Sequence, residues 1–98
     1  MASNIRLNYE KVMREVARLE GEINIFEGQI KKTYGVAERL SHEWESPASK
    51  ICRKKIEQIA EEMTETRKKM QQTTELIDLV ARRIQNTEEE TKRMADQL

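Results

Sequence analysis

The chain holds one cysteine, one proline, one histidine, three glycines and only four aromatic residues in 98 positions. Each scarcity excludes something. A lone Cys52 cannot form an intramolecular disulfide, and its place on an apolar stripe reads as a small buried residue. A lone His42, beside Glu43, lacks the converging His, Cys or acidic residues that hold a metal. There is no glycine-rich phosphate loop, and the acidic residues are spread out rather than paired in a cleft. No enzyme, cofactor or metal site is expected. No apolar run approaches the ~20 residues of a membrane helix. The first residues, Met-Ala-Ser-Asn-Ile-Arg, carry no basic region followed by an apolar run, so no cleaved signal peptide is expected.

Charge is plentiful but balanced, with 18 basic and 18 acidic residues. That is not the basic excess of a nucleic-acid binder. Mixed-sign polar faces also disfavour direct membrane insertion, which calls for a cationic polar face. Apolar and charged residues each make up 37%, the composition of a long-helix protein without a thick core. These numbers bound the chain to a single domain.

What is present is periodicity. Steps of four and three from Ile5 give Tyr9, Val12, Val16, Leu19, Ile23, Phe26, Ile30, Thr33, Ala37, Leu40 and Trp44. The same stepping from Cys52 gives Ile56, Ile59, Met63, Thr66, Met70, Thr73, Ile77, Val80, Ile84, Thr87, Thr91, Met94 and Leu98. Such a repeat lays one apolar stripe along one side of a helix. Lys54, Glu61, Lys68, Glu75, Arg82, Glu89 and Asp96 alternate in sign at heptad spacing, as on a solvated face.

Asn4 or Asn8 can cap the first helix. The pattern predicts helix 1 over about 5–42, a turn over 43–47, and helix 2 over about 47–95. Ser46 serves as N-cap and Pro47 as the first helical residue, where its missing N–H is not needed. Proline also pushes Glu45 and Ser46 out of helical geometry. Leu40 and Trp44 are expected near Ile51 and Cys52. The fold class is all-α, an antiparallel helical hairpin. The arms are unequal, with Ile5 opposite about residue 87, so Glu88 to Leu98 overhang and are expected to fray without a partner.

Some apolar residues do not fit the stripes: Met13, Ile25, Val36, Ile51, Leu76 and Leu79. A hairpin buries one narrow seam, and wider stripes call for more helices. Two hairpins pairing into a four-helix bundle are therefore expected. Thr66, Thr73, Thr87 and Thr91 weaken the second stripe. Gly21, Gly28 and Gly35 fall seven apart on one face, roughly opposite the first stripe. Coincidence, close approach of another helix and a local kink all fit that spacing. Leu76, Leu79 and the three glycines are the candidate dimer face.

Trp44 sits almost midway, in His42-Glu43-Trp44-Glu45-Ser46-Pro47. Its length, two amphipathic helices and one Trp at the turn resemble the Trp-X-Gly (WXG) family, the small ESAT-like proteins of bacterial type VII secretion. Ser46 stands where that family has Gly, a departure shared with distant relatives such as the small helical partners of LXG toxins. The resemblance implies dimerisation into four-helix bundles and export without a cleaved signal, from a cytoplasmic precursor. It implies a partner that is the chain itself or a related hairpin, and contact with a secretion ATPase or an LXG toxin. The family's export signal is an aromatic residue followed four positions later by an acid. The nearest match here, Ile84 with Glu88, lacks the ring, which puts self-sufficient export in doubt. A candidate docking tail of Ile84, Glu88, Met94 and Leu98 follows. Two other readings stand: a cytoplasmic chaperone or adaptor for a secreted toxin, and a purely structural coiled-coil module. Trp44 itself reads either as a plug at the end of the seam or as a docking group.

Overall fold

A computed structural model describes residues 7–98. Asn4 as a helix cap and Ile5 as the start of the first stripe lie outside the described residues. Two helices make up the described chain: α1, Tyr9–Glu43, and α2, Pro47–Asp96. They pack as an antiparallel hairpin, a rod of 79 × 18 × 17 Å. The radius of gyration is 22.3 Å, against about 13 Å for a compact chain of this length. There is no interior, only a seam between two helices.

The ends of the helices follow from local chemistry. Asn8 caps α1, its side-chain oxygen accepting from the Lys11 N–H at 3.1 Å. That satisfies one of the free N–H groups of the first turn. At the other end Trp44 turns to extended backbone, φ −140° and ψ 106°, while its N–H still donates to the Leu40 carbonyl at 3.0 Å. Ser46 is extended too and caps α2 through a reciprocal box. Its hydroxyl oxygen accepts from the Ser49 N–H at 3.2 Å, and Ser49 Oγ accepts from the Ser46 N–H at 3.3 Å. Pro47 opens α2.

In α1 the buried residues are Val16, Ile23, Ile30 and Ala37, seven apart. Tyr9, Val12, Leu19, Phe26, Thr33 and Leu40 flank them, half-buried. These ten are the predicted first stripe. In α2 the buried residues are Ser49, Ala60, Thr74 and Ala81, with Arg53 and Arg67 half-buried at the same heptad position. Thr33 Oγ1 lies 3.7 Å from Met63 Sδ. That contact brings Ile23 near the level of Thr74, Val16 near Ala81 and Ala37 near Ala60. Val16 and Ile23 on α1 thus lie level with the small residues Ala81 and Thr74 on α2, and Ala37 with Ala60, which lets the helices approach closely at those levels.

The second stripe needs a correction. Ile56, Met63, Met70 and Ile77 do flank the seam, half-buried. Cys52, Ile59, Thr66, Thr73, Val80 and Ile84 do not reach it and are exposed. The helix is rotated by about one residue from the expected facing. A narrow contact with one neighbour selects the small ladder Ala60, Thr74 and Ala81, and the bulkier residues are left outside. Cys52 is therefore an exposed thiol rather than a buried one. Ile51 and Cys52 both point to solvent, so neither covers Leu40 or Trp44.

Two further features complete the hairpin. All four ion pairs among the described residues join neighbours three or four apart within one helix, so the seam owes nothing to cross-helix charge. Buried Thr74 is satisfied locally, its hydroxyl donating to the Met70 carbonyl at 2.8 Å. The overhang does not fray here. From Asn86 onward every residue is exposed, yet α2 stays helical through Asp96. Its own i→i−4 ladder carries it, with Gln85 Nε2 donating to Glu89 Oε1 at 3.2 Å.

Candidate functional site

The rotation of α2 gives the rod two unlike faces. On one face the half-buried flank of α1 is Leu19, Phe26, Thr33 and Leu40, and that of α2 is Ile56, Met63, Met70 and Ile77. Next to these, exposed on α2, come Ile59, Thr66, Thr73 and Val80, with Ile59 52% exposed. A shallow apolar depression lined by Leu19, Thr66, Met70 and Thr73 runs between the helices there. On the opposite face α2 presents Glu57, Thr64, Gln71, Asp78 and Gln85 at the same half-buried depth. Beyond them lie Lys54, Glu61, Lys68, Glu75, Arg82 and Glu89, all exposed. Arg82 Nε donates to Asp78 Oδ1 at 2.8 Å on that side. This bond, and then the Asp78 charge, hold the guanidinium above its ordinary value. One face is thus solvated by design of its residues, and the other leaves apolar surface with no helix over it.

The turn forms a second surface. Trp44 is 42% exposed, so it does not plug the seam. It borders a shallow cleft with Ser41, Pro47, Lys50 and Arg53. Ser46 lies in the same cleft but is committed to the helix cap. Lys50 and Arg53 were not anticipated as neighbours of Trp44. They are legible once Pro47 is fixed as the first helical residue, because Pro47 and Lys50, and then Lys50 and Arg53, are three apart and so neighbours on the surface of the first turns of α2.

The remaining candidates are not gathered into one place. Ile84, Glu88, Met94 and Leu98 are all exposed, spread along the end of α2. Leu76 and Leu79 are exposed on the outer side of α2, away from α1. The three glycines have helical φ, and nothing lies within 4 Å of a Cβ placed at Gly21 or Gly28. At Gly35 such a Cβ meets only Arg39 Nη1 at 3.5 Å. No helix of the hairpin uses the glycine face. His42 and Cys52 are both exposed. Among the described residues no three His, Cys, Asp or Glu side chains gather as a metal needs.

This geometry defines an antiparallel helical hairpin with exposed apolar residues along one flank. Comparisons with protein families, curated proteins and solved structures find no match to the chain.

Proposed function

We propose that this chain is a small type VII secretion substrate, or a co-secreted helical partner, acting by protein–protein binding. The observation that carries the reading is Trp44. It stands at the only break between the two described helices, partly open to solvent beside Lys50 and Arg53. An indole held this way offers an apolar body and a polar edge to another protein. The one-sided apolar face supports the rest of the reading, since it calls for a related hairpin or a second copy. On this reading the protein is cytoplasmic before export and leaves the cell without a cleaved signal. A secretion ATPase and an LXG toxin are the proposed larger partners.

The test is export from a bacterium carrying a type VII machine. Tagged protein should appear in the culture supernatant without a cytoplasmic marker, and Trp44→Ala should abolish that while keeping its helicity. Export of Trp44→Ala at the wild-type level would overturn the role given to the indole. A chain that stays in the cell while binding a toxin would favour the adaptor reading. One observation already leans that way: Ile84, four residues before Glu88, offers no aromatic ring on the exposed end of α2.

A further inference from the structure

We propose that α2 is poised to roll on α1 by one heptad row, roughly 50°, and so to close the apolar flank with the hairpin's own first helix. The facing seen is the open one. The closed facing centres Ile56, Met63, Met70 and Ile77 on the seam and carries Ile59 and Val80 in toward α1. The roll concerns the hairpin alone and goes beyond the binding reading, whose apolar surface it opens and closes.

A conflict within α2 carries the argument. The row that faces α1 is Arg53, Ala60, Arg67, Thr74 and Ala81. Its two arginines are half-buried where a seam favours apolar or small side chains. By the Thr33–Met63 contact, Arg67 lies level with Ile30. It forms no ion pair among the described residues, and Arg53 has only Glu57 at 3.9 Å. The next row round is Ile56, Met63, Met70 and Ile77, apolar throughout and half-buried. Beyond it stand Ile59, 52% exposed, and Val80, 44% exposed. Rolling by one row centres the apolar row and releases Arg67 toward the solvated flank. It also brings Ile59 toward Leu40 and Val80 toward Leu19. The depression between Leu19, Thr66, Met70 and Thr73 is the space that closes. Against the roll stands the close approach that buried Ala60, Thr74 and Ala81 allow. Apolar burial favours one facing and tight packing the other, which brings the two close in free energy.

Little pins α2 in the facing seen. Every ion pair among the described residues lies within one helix, and the contact of Thr33 with Met63 is a 3.7 Å approach to sulfur. Met63 and Met70 are unbranched and repack readily. The connection is able to turn. Pro47 and the Ser46–Ser49 box travel with α2, so Glu45 and the extended backbone on either side of it absorb the roll. The closed facing is held at about 1–10%, the upper part of the usual range for a minor state.

Methyl groups provide the probe. The full chain, with isotopically labelled isoleucine and methionine methyls, is followed by relaxation dispersion in dilute solution. Ile56, Ile59, Met63, Met70 and Ile77 should share one exchange process with a minor population of about 1–10%. Ile25 and Ile51, exposed in both facings, should show none. Ile59→Asp with Val80→Asp makes closing costly and should silence the exchange while the helicity is kept. Silent methyls in the native chain overturn the proposal, and so does exchange that survives in the double Asp variant. Thiol reactivity reads the opposite bias. In a C52S background, I59C reports on the exposed flank and Q71C on the half-buried row at the other side of the seam. Adding A60L with A81L crowds the close approach and should favour the closed facing. The I59C thiol should then react about tenfold or more slowly, and the Q71C thiol faster. Unchanged reactivity at both positions, or loss of the fold, sinks the roll. Export is scored separately. A chain that is exported but shows no exchange refutes this inference alone, and one that exchanges but is never exported refutes the secretion reading alone.

Discussion

Ile23 and Ile51 are the same residue type in opposite situations. Ile23 is 3% exposed on the seam, and Ile51 is 63% exposed on the outer side of α2. Changing each to Ala removes three carbons. At Ile23 all three leave a buried site, a loss of about 2.4 kcal/mol at ~0.8 kcal/mol per methylene. The space left opposite Thr74 adds a cavity cost, for a total of about 2.5–4 kcal/mol. At Ile51 there is little burial to lose, and Ala is the better helix former. Its change should stay within about 0.5 kcal/mol, with either sign. Urea unfolding followed by circular dichroism at 222 nm measures both. With a slope of ~1–3 kcal/mol per molar, Ile23→Ala should lower the midpoint by about 0.8–4 M, and Ile51→Ala should move it by about 0.5 M at most in either direction. Protein concentration must be held fixed, because association shifts apparent stability. Equal shifts for the two variants, or a larger one for Ile51, would refute the seam and the facing of α2.

Other expectations are simpler. Ser46→Ala removes the oxygen that accepts from the Ser49 N–H and should cost ~1 kcal/mol in the same assay; no change would mean the cap is redundant. Gly21→Ala with Gly28→Ala adds methyls where nothing lies within 4 Å, so the hairpin should gain ~0.5–1 kcal/mol per site. A loss of partner binding in that double variant would show that the glycine face is covered after all. Ile59→Asp, at an exposed position, should leave the unfolding midpoint unchanged in dilute solution but weaken association measured by sedimentation. Deleting residues 86–98 should behave likewise, and a destabilised monomer would mean that the overhang packs within its own hairpin.

The sequence by itself determined the hairpin. The four-three spacing from Tyr9 to Leu40 marks the seam face of α1, because only residues on that repeat return to the same side of a helix. Ser46-Pro47 marks the break, because proline excludes helical geometry just before it and suits the first position after it. Asn8, of the two capping candidates, is the one seen to cap α1. What only the tertiary structure decided is which part of the broad second stripe meets α1. From Cys52 onward the apolar residues spread over more than one narrow seam can cover. Periodicity gives the direction of their centre, not the direction in which one neighbour will sit. Close packing chose the small side chains of Ala60, Thr74 and Ala81, and that choice turned Cys52, Ile59 and Val80 outward. The exposure of Trp44 was settled in the same way. Its spacing continues the first stripe, but the chain has already left helical geometry at that residue, and α2 begins too soon after it to cover the ring. Helix formation is local and can be read from spacing and caps. Facing depends on the volumes of side chains far apart in the chain, and those meet only when the two helices do.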